Sequence, residues 1–282
     1  MFPVCRGHRR SDEIGPGVFG RKMVPGAFTG WLHCVADALF PARCVDCGRL
    51  FHHMAATPGI TDAGSAAMDP YFCPGCRGRW TAVASPLCSR CGLVFKGRAG
   101  EDHLCGRCLD RPGAFTRARA AGIYDQTLRT AIHALKFKGQ VRLAAPLGVL
   151  LFDTFRRYWT AGDIDMVAPV PLHRNRFRRR GFNQAYLLVR RWTLPAGTDV
   201  VRDLLVRDRA TAPQTGLDRR QRRMNIKNAF SVNRPGQSAG KRVLLVDDVL
   251  TTGATADACA GVLIQDGARR VDVLTLARAL QS

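Results

Sequence analysis

The chain has 282 residues, 46% hydrophobic and 23% charged, a balance that excludes wholesale disorder and allows a packed core. Lys and Arg total 43 against 22 Asp and Glu, a net charge of +21, and only six of the cations are lysines. Residues 174–227 carry 15 cations and 4 anions, whereas residues 1–110 carry 13 and 9, so the excess is local and favours anionic partners, with arginine-rich codon usage as the plainest rival explanation.

Residues 1–25 hold Arg6, Arg9 and Arg10 with no apolar run behind them, which does not fit a secretory signal, and are predicted to be a poorly ordered leader. The uncharged stretches at 23–36 and 143–152 are too short to span a bilayer, so no membrane span is expected and a cytoplasmic location is. Eight of the 11 cysteines then form four Cys-x-x-Cys pairs: Cys44/Cys47, Cys73/Cys76, Cys88/Cys91 and Cys105/Cys108. Two thiolates two residues apart can hold one tetrahedral ion from a tight turn, so one or two structural Zn2+ sites are expected. Disulfides would need an oxidising compartment, and four redox pairs within 65 residues is implausible. Consecutive pairing, first with second and third with fourth, is the preferred scheme; a cross-braced arrangement is its rival. His52 or His53 could replace a thiolate, and Cys5, Cys34 and Cys259 read as bystanders or core residues. The predicted organisation is a leader over 1–25, a double zinc-ribbon module over 26–112 and an α/β domain over 113–282.

Beyond Pro112 the pattern alternates. Strands are predicted over 118–124, 164–171, 200–206, 242–246 and 271–277, and helices over 126–137, 140–160, 181–192 and 255–266. Such alternation implies an α/β fold with a mostly parallel sheet flanked by helices. Its most informative segment is Val243-Leu-Leu-Val-Asp247-Asp248-Val-Leu-Thr251-Thr252-Gly253-Ala254-Thr255. The predicted strand runs into two acids, then into a hydroxyl- and glycine-containing turn that opens a helix. A helix N-terminus offers free N–H groups and a positive dipole end. The threonines add donors, and Gly253 permits close approach of a phosphate. Two carboxylates just before such a cradle can accept from ribose hydroxyls or help orient Mg2+.

This segment resembles the phosphoribosyl diphosphate (PRPP) motif of type I phosphoribosyltransferases. Further segments sharpen the likeness: Leu135-Lys136-Phe137-Lys138-Gly139, Pro169-Val170-Pro171-Leu172, Arg174, Arg178-Arg-Arg180-Gly181-Phe182-Asn183-Gln184, Gln214-Thr-Gly-Leu217 and Asn228-Ala229-Phe230. With four zinc knuckles in front, residues 28–282 resemble the ComF family, including its GntX-like branch. The resemblance implies a type I phosphoribosyltransferase domain, PRPP and Mg2+ as ligands, and a link with DNA uptake in natural competence, hence with competence proteins as partners. It places the 5′-phosphate on Thr251, Thr252, Gly253, Ala254 and Thr255, and the ribose diol on Asp247 and Asp248. The diphosphate falls to Lys136, Arg174, Arg178 and Arg180 in the loop read over 170–183, with residues 214–228 as a covering loop. Transfer to an unidentified acceptor is the leading expectation. A non-catalytic factor binding single-stranded DNA, or a PRPP or nucleotide sensor, is the alternative.

Overall fold

The structure, a computed structural model, describes residues 41–51, 68, 71–95, 97, 100–208 and 229–280. The predicted leader, His52, His53, Cys5, Cys34 and the predicted covering loop at 214–228 lie outside the described residues. Those described fall in one compact unit, Pro41–Ser282.

Among the described residues of the cysteine-rich part, β1 (Ala42–Arg43) pairs antiparallel with β2 (Leu50–Phe51), and α1 (Pro74–Arg77) and α2 (Gly106–Asp110) are single turns. Then follow β3 (Arg117–Ile123), α3 (Gln126–Phe137), a 3-10 turn (Val141–Leu143), α4 (Ala144–Tyr158), β4 (Met166–Pro169), α5 (Arg174–Arg180), α6 (Gln184–Val189), β5 (Asp199–Val200), β6 (Leu205–Arg207), β7 (Phe230–Val232), β8 (Arg242–Leu250), α7 (Ala254–Gln265) and β9 (Arg270–Arg278).

Five strands form one parallel sheet in the order β3-β9-β8-β4-β5. Its centre is β8. Val243, Leu244, Leu245 and Val246 are all fully buried, the continuous apolar run expected of a strand covered on both faces. Burying each such side chain contributes about 1.5–3 kcal/mol. Side chains alternate along a strand. Leu244 and Val246 therefore join α3, α4 and α6 in one core, while Val243 and Leu245 join α7, β6 and β7 in the other. Gly148 lets α4 close on α6: a Cβ there would lie 2.5 Å from the Leu188 carbonyl oxygen.

The module covers the outer edge of β3. Ile123 N–H donates to the Thr81 carbonyl at 2.8 Å, Val83 N–H to Ala121 at 3.3 Å and Ala118 N–H to Arg90 at 2.7 Å. The edge of the sheet is thus paired rather than left open.

Five sequence expectations change. The single strand over 200–206 is two: β5 ends the main sheet, and β6 pairs antiparallel with β7 in a separate hairpin. The exposed Arg202-Asp203 turn breaks the run. The loop read over 170–183 contains a helix, α5. Gly181, read as the start of a helix, instead ends α5 in the left-handed conformation (φ 80°), and α6 starts at Gln184, capped by Asn183 Oδ1, which accepts from Ala185 N–H at 2.9 Å. The 140–160 helix opens as a 3-10 turn before α4. Finally, β8 runs on to Leu250, so the acid pair lies inside the strand.

Candidate functional site

The four Cys-x-x-Cys pairs converge in the consecutive scheme. The sulfurs of Cys44, Cys47, Cys73 and Cys76 lie within 4.8 Å of one another, and so do those of Cys88, Cys91, Cys105 and Cys108. Zn–S bonds of about 2.3 Å imply sulfur–sulfur edges of about 3.8 Å in a tetrahedron. The Cys47–Cys73 and Cys91–Cys105 separations are 3.7 and 3.8 Å, so both donor sets fit Zn2+. Backbone N–H groups of Cys91 and Cys105 donate to Cys88 Sγ at 3.4 and 3.3 Å, as knuckle turns do. Gly92 completes the turn with φ 63°, and a Cβ there would meet the Ala118 carbonyl oxygen at 2.8 Å. Cys259 is a fully buried core residue on α7.

The second feature lies at the carboxyl end of the sheet. The chain leaves β4 toward α6 on one face and leaves the adjacent β8 toward α7 on the other. Neighbouring parallel strands whose continuations part in this way open a crevice at a topological switch point. β8 outruns β4 there: its last ladder partner in β4 is Pro169, opposite Val246. Asp247 and Asp248 stand immediately beyond.

Strand alternation sends the two acids to opposite faces. Asp248 faces α3 and α6. Lys136 Nζ lies 2.7 Å from its Oδ1, and Gln184 Nε2 donates to its Oδ2 at 2.8 Å. Arg180 donates to Gln184 Oε1 and stacks over Phe137 at 5.5 Å, which ties α5 to the same network. Asp247 faces α7 and the β6–β7 hairpin. Burial, then the neighbouring Asp248 carboxylate, pushes its carboxyl up to about 7, while Lys136 and Arg207 oppose the shift.

The two acids thus differ in surroundings: each oxygen of Asp248 already has one protein partner, whereas Asp247 faces the other side of the strand. Lys136 is likewise committed to Asp248. The structure brings Arg180 and Arg176 into the field of the site: Arg180 feels Asp248, Arg176 and Asp247, and Arg207 feels Arg176 and Asp247. Arg176 and Arg180 are four residues apart on one face of α5. Arg174 and Arg178, predicted as clamps, are exposed. Arg207 on β6, only 5% exposed and over the Phe230 ring at 5.2 Å, escaped the sequence reading, as did Arg176.

Thr251, Thr252 and Gly253 form the turn after β8, and Ala254 and Thr255 open α7. Thr252 Oγ1 accepts from Ala254 N–H at 3.3 Å, and Gly253 adopts φ 81°. The turn's carbonyls are held from the module side. Arg278 Nη1 donates to those of Leu250 and Thr251 at 2.9 and 2.6 Å, and Arg107 donates to that of Thr252. A shallow crevice lies between the turn and the second ribbon, lined among others by Arg90, Arg107, Arg111 and Asp257. Among the described residues no helix is long and apolar enough to cross a membrane.

Residues 35–109 match the double zinc ribbon domain family. DNA utilization protein YhgH of Escherichia coli strain K12 is 39% identical over 209 residues, covering 72% of this chain and 88% of that protein. The chain belongs to the ComF family. Competence protein F of Haemophilus influenzae is 32% identical over 223 residues, 74% of this ComF-family chain and 97% of the relative. Among solved structures, glutamine PRPP amidotransferase from B. subtilis resembles 60% of this chain and 30% of its own, at 19% identity and a TM-score of 0.29.

Asp247 gives the site a testable titration. Its folded pKa lies above the usual carboxylate value of 3.8, so the folded form holds a proton that the unfolded chain releases. Its contribution to stability is full below about pH 4 and is lost as pH rises through about 7. Urea midpoints between pH 6 and 8 should therefore fall for the wild type relative to Asp247→Asn and level off above 7. Parallel pH profiles for the two proteins would show that Asp247 is ionised throughout.

Proposed function

We propose that the chain binds PRPP with Mg2+ at the carboxyl end of β8 and transfers its phosphoribosyl group to an acceptor, as part of DNA utilization. One observation carries this reading. At a single switch point, an acid-bearing strand meets a hydroxyl- and glycine-containing turn and a twelve-residue helix. In this reading the 5′-phosphate lies on Thr251, Thr252 and Thr255 and on the N–H groups of the turn. The ribose hydroxyls lie on Asp247, and the diphosphate on Arg176 and Arg180 with Arg174 and Arg178 at the rim. A guanidinium donates two parallel hydrogen bonds to phosphate oxygens, which suits this role.

When bound, Mg2+ offsets charge on the diphosphate. One partly buried carboxylate, Asp247, suits an ion held chiefly by substrate oxygens and water. Loss of diphosphate builds positive charge at the anomeric carbon, which the Asp247 carboxylate stabilises, while the arginines stabilise the leaving group. No glutamate follows Glu101, so an aspartate or the acceptor itself must manage the remaining proton. Calorimetric titration with PRPP and Mg2+ should give a binding isotherm that weakens about tenfold or more in Asp247→Asn, the loss of one charge-assisted contact. Absence of heat with the wild type, or equal binding by the variant, rejects the assignment. Diphosphate release across a panel of bases, amines and ammonia then identifies the acceptor. Binding without release in any of them favours a PRPP sensor.

A second reading, single-stranded DNA binding, has its own observation. α5 carries five arginines and buries no residue, Phe177 beside them is 39% exposed and Phe137 is 69% exposed. A cationic surface with exposed aromatic rings suits a phosphate backbone and unstacked bases, and it accords with the relatives' names. A mobility-shift titration should show binding that weakens steeply with salt. Salt-independent binding, or none in dilute buffer, excludes it.

A further inference from the structure

We propose that the second cysteine cluster and the Thr251–Gly253 turn work as one unit, with Arg278 and Arg107 as the positioning residues that join them. The proposal rests on the phosphate-binding reading of this turn but is built on different contacts.

Arg278, on the last residue of β9, is 1% exposed. Its guanidinium reaches both partners. Nη1 donates to the carbonyls of Leu250, Thr251 and Ala279 at 2.9, 2.6 and 3.0 Å. Nε donates to the Cys91 carbonyl at 3.2 Å, and Nη2 stands 3.9 Å from Cys91 Sγ. Arg107 lies between Cys105 and Cys108 on α2 and donates to the Thr252 carbonyl. Three successive carbonyls, of residues 250, 251 and 252, are therefore held by two arginines that are themselves anchored at one cysteine cluster.

The stereochemical consequence is direct. In a trans peptide the carbonyl and the following N–H point in opposite directions. Holding these carbonyls toward the ribbon turns the N–H groups of Thr251, Thr252 and Gly253 away from it, into a concave row of donors. Such a row takes an anion. Without the arginines the turn could rotate a carbonyl into the same space and repel a phosphate.

The charges fit as well. Four thiolates around one Zn2+ carry a net charge of −2, and a buried guanidinium needs an anionic neighbour. Arg278 and Arg107 are the cations placed to offset that centre. The first cluster has its own arginine and points elsewhere: Arg79 donates to Cys76 Sγ at 2.8 Å, and Asp46 accepts from Thr127 and Thr130 of α3 at 3.3 and 2.8 Å.

Two measurements test the unit separately from the ligand assignment. In hydrogen exchange, the peptide spanning 253–260, which carries the first bonded turn of α7, should lose protection at least about tenfold in Arg107→Ala and in Arg278→Lys, but not in Arg79→Ala, whose guanidinium donates to Cys76 Sγ of the first cluster. Arg107 is only partly buried, so its variant guards against a folding failure at Arg278. In PRPP–Mg2+ titration the same two arginine variants should weaken binding by about tenfold or more, the effect of losing a charge-assisted hydrogen bond, while Arg79→Ala stays within about twofold. Loss of the second zinc together with the turn's protection also supports the unit. Wild-type exchange in both arginine variants overturns it. So does unchanged PRPP affinity in them when the wild type binds. A wild type that binds no PRPP rejects the ligand reading alone, and the exchange result still decides the coupling.

Discussion

Removing zinc with a strong chelator is expected to unfold the cysteine-rich module and destabilise the parallel sheet with it. The module has little else to hold it. Among the described residues its regular structure is two two-residue strands and two single-turn helices, and its own apolar cluster around Val83 and Leu87 is small. Seven of the eight cysteines are buried. Structural zinc contributes on the order of 10–16 kcal/mol in small metal-dependent modules, comparable to or above the ~5–15 kcal/mol net stability of a whole domain. The damage should spread, because Thr81–Val83 and Arg90 supply the hydrogen bonds along the outer edge of β3. An unpaired parallel edge is a template for aggregation. Metal analysis should give two zinc ions per chain, and circular dichroism melts should show a large, zinc-reversible loss of midpoint. One ion per chain, or a melt indifferent to chelation, would sink this account.

How much of this was legible beforehand follows from the range of each interaction. The helix at 126–137 was read to the residue because its apolar periodicity is local and strong. The consecutive cysteine scheme was readable because each Cys-x-x-Cys turn is a complete local device. The position of the Thr251–Gly253 turn was readable because strand, glycine and helix start adjoin in sequence. What escaped depends on distant packing. Nothing near Arg278 in sequence marks it as a partner of Cys91, 187 residues away. That Arg174 and Arg178 are exposed while Arg176 and Arg180 are partly buried follows from the helical phase of α5, where the sequence predicts a loop. Strand continuation through Leu250 decided the fate of the acid pair. Asp-Asp at a strand end can converge on one ligand, whereas Asp-Asp inside a strand must diverge. Arg207 was hidden because its strand is short and its partner β7 lies beyond residues 209–228.

That divergence yields the sharpest substitution experiment, since the two adjacent acids should fail in different ways. Asp248→Ala strands the Lys136 ammonium, whose side chain is only 19% exposed, and leaves Gln184 Nε2 without its acceptor. Breaking a buried pair from one side costs about 3–5 kcal/mol, because the remaining charge stays desolvated. Asp248→Asn keeps an acceptor for Gln184 and should cost less. Adding Lys136→Met to Asp248→Ala should restore much of the stability, since an apolar replacement of both partners removes the uncompensated charge. Urea midpoints at constant m report each step. Asp247→Asn should instead lose PRPP while keeping the fold, and above pH 7 it should match or exceed the wild type in stability, because it no longer buries a carboxylate pushed up to about 7. A cost below about 1 kcal/mol for Asp248→Ala would mean that Lys136 finds water on its own. Equal loss of stability from both acids would mean that they share one environment, and the opposite-face assignment would fall with it.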